Sequence, residues 1–203
     1  MCGIFGYVGT AVPDRELLTA AALAAGRRGP HGCGWVWTDG RQGLTRRVYL
    51  GPLTAAWTAA WPSIEGAAAL LGHARLATVG DWRREDELQP VRVGALALAH
   101  NGVIRNAEAL APGHRTDSIA LAHAYAAARA RGEAPVAALD RLLQHADQRA
   151  WVVVALEGRT LYVHRHYHPC WLARVSGGAY LASQAFPPTA QLVPENHALV
   201  VTP

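Results

Sequence analysis

The sequence predicts a layered fold of two β-sheets and α-helices. Three observations lead there: strand-like apolar runs in the first half, two helical periodicities in the middle, and a return to strand-like runs from residue 151 onward. Strands, then helices, then strands, without an internal repeat or a linker, suggest layers sharing one core, so a single domain over residues 1–203 is expected. The length of 203 residues allows a sizeable core. Hydrophobic residues make up 51% and charged residues 17%, the balance of a packed chain and not of a disordered one.

Taken in order, Ile4 to Val8 reads as a buried strand. A helix follows from about Pro13, with Leu17, Leu18, Ala21, Ala22 and Ala25 on one face at helical spacing, and Pro13 suits a first turn. Arg27 to Gly34 is a loop rich in Gly and Pro. Trp35-Val36-Trp37 leads to Asp39-Gly40, a hairpin signal, and on to a strand around Leu44 to Leu50. Ala67 to Ala77 is an apolar strand with a functional end, and Leu96 to His100 runs into Asn101-Gly102. Two helices come next. Asp117 is placed to cap the first, whose face carries Leu121, Tyr125 and Ala128. The second starts near Pro135 and shows Val136, Leu139, Leu142 and Leu143. The remaining strands are Trp151 to Leu156, Leu161 to His166 after a turn at Gly158, Leu172 to Val175, Ala179 to Ser183, and His197 to Val201.

The net charge is +4, carried by arginine alone because the chain has no lysine. The arginines are scattered, and the densest charged run, Arg83-Arg84-Glu85-Asp86-Glu87, largely cancels. A nucleic-acid partner would call for a one-sided basic stripe, so none is expected. Three widely spaced cysteines, Cys2, Cys33 and Cys170, do not make a disulfide framework. No secretory signal or membrane-spanning stretch is present, which points to a reducing, cytoplasmic setting with no membrane partner.

The most informative feature is a cysteine directly after Met1. With Met1 removed, Cys2 supplies both a thiol and a free α-amine. That amine titrates at about 7.7–8.0 and serves as a base near neutral pH. The thiol, at roughly 8.5, needs modest activation to become a thiolate. Met-Cys-Gly alone favours an ordinary buried cysteine over a nucleophile.

Further segments add specificity. Met1-Cys2-Gly3-Ile4-Phe5-Gly6 resembles the start of class II glutamine amidotransferases. So do Arg28-Gly29-Pro30 followed by Gly32-Cys33-Gly34, then His73-Ala74-Arg75-Leu76-Ala77-Thr78-Val79-Gly80, then His100-Asn101-Gly102-Val103-Ile104 with Asn106, and finally Thr116-Asp117-Ser118. The five matches keep the family's order across about residues 2–120. The resemblance implies an α+β fold, a four-layer αββα sandwich of the N-terminal-nucleophile hydrolase type. It also implies hydrolysis of the glutamine γ-amide through a Cys2 thioester, giving glutamate and ammonia.

Carried over residue by residue, the resemblance makes Asn101 and the N–H of Gly102 the oxyanion hole, where each donor is worth roughly 2.7–4 kcal/mol. It gives Arg75 the substrate α-carboxylate and Asp117 the α-ammonium, lines the pocket with Thr78 and Val79, and places Arg28 beside the nucleophile's strand. Each has a plainer alternative: a turn for Asn101-Gly102, a surface ion pair for Arg75, a helix cap for Asp117, a loop-stabilising ion pair for Arg28. Three departures stand out. His31 takes the place where relatives commonly carry aspartate, which puts the loop's hydrogen bonding in question. Leu76 stands where some have tryptophan, and Val79 where some have a polar residue.

No cofactor is expected, since neither a Walker-type loop nor a Rossmann fingerprint occurs. His164, His166, His168 and Cys170 alternate, but Pro169 interrupts the run and zinc draws ligands from several segments. Solvent-facing strand residues are expected there, not a metal. Structural roles are expected for His73 and His100, packing for Cys33, and a core or interface for Trp57, Trp61 and Trp82. Because the chain ends after the sandwich, the expected partner is a separate synthase that accepts the ammonia and docks around Arg27 to Gly34 and Leu76 to Glu87. The competing readings are an amidohydrolase acting on another γ-glutamyl amide and a non-catalytic glutamine-binding scaffold.

Overall fold

All seven residues of β1 (Gly3–Gly9) are buried, because both faces of this strand are covered. In the computed structural model, which describes every residue except Gln42, Val79 and Pro188, β1 is followed by α1 (Arg15–Gly26), β2 (Gly32–Thr38), β3 (Thr45–Leu50), α2 (Leu53–Ile64) and β4 (Ala69–Arg75). Next come β5 (Val91–Val93), β6 (Leu96–Asn101), α3 (Ala107–Leu110), α4 (Asp117–Ala130) and α5 (Pro135–His145). The chain closes with β7 (Trp151–Glu157), β8 (Thr160–His166), β9 (Trp171–Val175), β10 (Gly178–Ala182), β11 (Gln191–Leu192) and β12 (Leu199–Val201).

The strands form two antiparallel sheets, one in the order β11-β9-β10-β1-β4-β2-β3 and the other in the order β12-β8-β7-β6-β5. Successive side chains of a strand point to opposite faces, and the core follows that rule. Ile4, Val8, Val36, Ala69 and Leu71 of the first sheet meet Ala97, Ala99, Val152, Val154 and Leu156 of the second in an apolar seam. Their neighbours Phe5, Tyr7, Trp35 and Leu70 point the other way, against Leu18, Ala21 and Ala22 of α1 and Leu53, Trp57 and Ile64 of α2. Leu98, Val153 and Ala155 turn from the seam toward Leu121, Tyr125, Leu139 and Leu142 of α4 and α5. The layers are therefore helix, sheet, sheet, helix, as expected.

Some details depart from the sequence reading. Helix α2 was not anticipated. Its segment is alanine-rich with Pro62 inside, so it offers little contrast between faces, although Trp57 is buried against Phe5 and Trp35. Thr116, not Asp117, caps α4, its hydroxyl accepting the Ile119 N–H at 3.3 Å. His164 does not face solvent: it is buried and accepts the Trp151 indole N–H at 3.0 Å. Cys170 is buried in the inter-sheet seam.

Candidate functional site

Antiparallel pairing decides where the functional residues meet. Strand β1 lies between β4 and β10, so the residue that leads into it, Cys2, sits beside the last residues of both neighbours. Gly3 pairs with Ala74 and Phe5 with Ala182. Arg75 and Leu76 at the end of β4, and Ser183 just past β10, are thereby brought to Cys2. Asn101 ends β6 in the other sheet and reaches the same place across the seam.

The Cys2 thiol is half-buried and touches the backbone of Leu76. Its Sγ accepts the Leu76 N–H at 3.2 Å and lies 3.3 Å from the Leu76 carbonyl, to which the S–H donates. Burial pushes the thiol above its ordinary range. The Leu76 N–H, the chain's amino terminus, Arg75 and Arg28 pull in the opposite direction without cancelling burial. Arg28 donates to the Ser183 carbonyl at 3.0 Å and approaches the Met1 sulfur at 3.3 Å. Met1 itself is 63% exposed, so it is no part of the packed core.

Asn101 is 3% exposed. Its amide donates to the Cys2 carbonyl and to the Ser183 hydroxyl, both at 3.1 Å, while that hydroxyl also accepts the Ile4 N–H at 2.8 Å. The Asn101 carbonyl oxygen has no hydrogen-bond partner among the described residues. His73 lies next to this amide in a near contact that falls short of a formed hydrogen bond. Burial first, then the proximity of His100 and Arg75, lowers His73 to about 3, which keeps it neutral. Gly102 admits no side chain: a Cβ there would lie 2.5 Å from His100 Nε2 and 3.0 Å from the Ala150 carbonyl.

Beyond the thiol a small cavity is lined by Arg75, Thr78, Glu87, Gln89, His100, Gly102, Thr116, Asp117 and Ser118. Asp117 faces it with a carboxylate that accepts the Ile104 and Ser118 N–H groups, each at 2.9 Å. His100 is held between Ser118 Oγ at 3.3 Å and Gln148 Oε1 at 3.1 Å, and its N–H donates to Gln89 Oε1 at 2.6 Å. Arg75 is buried and paired with Glu87 at 3.3 Å. A second, larger cavity reaches Cys2 from the other side, past Asn101, Val103, Arg105, Arg149 and His168.

The structure thus gathers Cys2, Arg75, Thr78, Asn101, Gly102 and Asp117 around two adjoining cavities, with Arg28 beside the thiol; Val79 lies outside the described residues. The hydrogen bonding questioned by the His31 departure is present in another form: His31 Nδ1 accepts the Ala77 N–H at 3.0 Å. Glu87, Gln89 and Ser183 were not anticipated as site residues. Glu87 was read only as one charge in a run that largely cancels and as the end of a docking segment, and nothing in the spacing of the other two marks them. Among the described residues no group of three or more His, Cys, Asp or Glu side chains is arranged to hold a metal ion, and no helix is long and apolar enough to cross a membrane.

No protein-family model and no curated protein matches the chain. Solved structures do. Glutamine phosphoribosylpyrophosphate amidotransferase from B. subtilis superposes with a TM-score of 0.80 at 22% identity, over 99% of this chain and 47% of that one. The fold is that of the class II glutamine amidotransferase domain. A second structure, described as the allosteric regulatory enzyme of purine biosynthesis, also gives 0.80, at 24% identity and the same coverage. A glutamine aminotransferase class-II domain protein from Silicibacter pomeroyi gives 0.64 at 15% identity, with 99% of both chains covered. The chain spans about half the length of the first two.

The thiol's environment leads to a pH test. A raised thiol holds its proton longer than a free cysteine does, so its reactivity appears only as pH climbs. With Met1 in place, carbamidomethylation of Cys2 by iodoacetamide, followed by peptide mapping, should rise through a midpoint above that of a free cysteine. Cys33 and Cys170 are pushed up to about 11 and about 12 by burial and should stay unlabelled throughout. A Cys2 midpoint below that of a free thiol would mean that the arginines and the Leu76 amide outweigh burial.

Proposed function

We propose that this chain hydrolyses the γ-amide of glutamine through a γ-glutamyl thioester on Cys2. The observation that supports it most is the convergence, from two different sheets, of a thiol, an amide donor and a cavity bearing both Arg75 and Asp117. With Met1 removed, the Cys2 α-amine takes the thiol proton, and the sulfur attacks the amide carbon. Charge develops on the amide oxygen, where Asn101 and the Gly102 N–H are the donors. Both N–H bonds of the Asn101 amide are engaged beforehand, with Cys2 and Ser183, so one contact is exchanged for the oxyanion. The ammonium formed at the Cys2 amine returns its proton to the leaving nitrogen, ammonia departs, and water resolves the thioester. Asp117 receives the α-ammonium of glutamine, Arg75 its α-carboxylate, and Thr78 the wall between them. The amide recognised is that of glutamine rather than of a general substrate because an acidic and a basic group share one small cavity.

The same reading places the ammonia acceptor on a separate synthase, docked where the Arg27–Gly34 loop meets the Leu76–Glu87 segment. His31 joins the two through its bond to Ala77 and packs against Trp82, ring centroids 5.9 Å apart. Trp82 is 45% exposed, with the Arg83 guanidinium 4.9 Å from its ring. Such an aromatic beside an arginine suits an interface anchor.

Cys2→Ala and Cys2→Ser should abolish ammonia release from glutamine while circular dichroism stays native. Blocking Met1 removal should do the same, since the base is then locked in a peptide bond; full activity in a sample shown by intact mass to keep Met1 would falsify the amine as base. Asn101→Ala should lower kcat by about 10²–10³ with a smaller change in KM, and a pure KM effect would reduce Asn101 to positioning the substrate. Trp82→Ala should weaken capture of a cognate synthase, measured by titration calorimetry, more than it slows basal hydrolysis. Equal affinity for the synthase would remove Trp82 from the interface.

A further inference from the structure

Arg75 and Glu87 form a buried ion pair on the wall of the small cavity. Arg75 and Glu87 are each 4% exposed and their side chains meet at 3.3 Å. Glu87 Oε2 also accepts the Asp81 N–H at 2.7 Å, while Arg75 donates to the Asp81 carbonyl at 3.2 Å. The backbone N–H and C=O of Asp81 are therefore both held, one by each partner. Arg84 flanks the other Glu87 oxygen at 3.6 Å. Gly80, at φ 77, lets the chain pass this close, since a Cβ there would lie 2.1 Å from Glu87 Oε2.

On the reading that gives Arg75 the substrate α-carboxylate, the guanidinium is thus already engaged by a carboxylate of the chain itself. Glu87 lines this small cavity, of about 30 Å³, together with Arg75 and Asp117. A guanidinium that already holds one carboxylate in a buried setting offers a second only what remains after that contact is broken or shared. We propose that Glu87 is a specificity-determining residue, an internal carboxylate that occupies Arg75 and that the α-carboxylate of glutamine must displace. Glu87 thereby weakens the site for glutamine and for any ligand that needs Arg75. It costs little to an amide that carries only the ammonium end, which Asp117 receives. Displacement also frees the Asp81 peptide, so entry of the substrate carboxylate and release of the Leu76–Glu87 segment are one event.

The inference rests on glutamine as ligand, and binding separates it from the proposed reaction. In a Cys2→Ala background, which binds without turnover, dissociation constants are measured by calorimetry for glutamine and for 4-aminobutanamide, which is glutamine without its carboxylate. Adding Glu87→Gln keeps an acceptor for the Asp81 N–H but removes the charge. Glutamine should then bind at least about tenfold more tightly, the scale of one charge-assisted contact, while 4-aminobutanamide moves by less than about twofold. Glu87→Asp, whose carboxylate is one methylene shorter, should shift glutamine in the same direction and serves if Glu87→Gln fails to fold. Weaker glutamine binding in these variants, equal shifts for both ligands, or no glutamine binding in any form would overturn the proposal and leave Glu87 a buttress for Arg75. If the shift appears but the mature native chain releases no ammonia from glutamine, the hydrolytic reading fails and the displacement stands.

Discussion

The seating of β1 between β4 and β10 is the constraint on which the rest of the structure depends. Its register puts Ile4 and Val8 into the inter-sheet seam and Phe5 and Tyr7 under α1. Because strand side chains alternate, a slip of one residue would exchange these sets and turn Phe5 into a seam filled by smaller residues. The same slip would carry Cys2 about 3.4 Å along the strand, away from the Leu76 N–H and the Asn101 amide. Core packing and placement of the thiol are thus one requirement. The bulky aromatics Phe5, Trp35 and Trp57 enforce it from the helical side, stacked edge to face at 5.2 and 5.6 Å.

Electrostatically the site balances opposing demands. Burial favours the neutral thiol, and it also lowers Arg28, whose charge the neighbouring thiolate would support. His73 and His100 are buried and both are driven down chiefly by burial, so the wall behind Asn101 is neutral and polar. The charges that remain are carried by Arg75 with Glu87 and by Asp117, each held by backbone N–H groups or by its partner. A buried charge without such partners would cost several kcal/mol, which accounts for the density of hydrogen bonds around so small a cavity.

Much of this was legible in the sequence, and the reasons differ by residue. Strand β1 announces itself as an apolar run, β4 and β6 as apolar runs that end in polar residues, and α4 and α5 by their spacing. The layer order came through resemblance, since pattern alone yields strands and helices but not which faces meet. Helix α2 was hidden because alanine is apolar on every side. Asp117 was read as a possible cap of α4, yet its neighbour Thr116 takes the capping bond. Glu87 was the least visible. Within Arg83-Arg84-Glu85-Asp86-Glu87 nothing distinguishes it from its exposed neighbours, and only the fold of the 3₁₀ turn Glu85–Glu87 turns it inward onto Arg75. Ser183 was equally silent, because its role depends on β10 lying beside β1, a pairing between residues nearly the whole chain apart.

Asn101 has a consequence beyond chemistry. The seam between the sheets is apolar, and apolar attraction is not directional. At the site end a directional contact crosses it: the Asn101 amide, rooted in β6, bonds to the Cys2 carbonyl and the Ser183 hydroxyl on the side of the other sheet. Whatever chemistry the site performs, replacing this asparagine would loosen the joint between the two plates at that end.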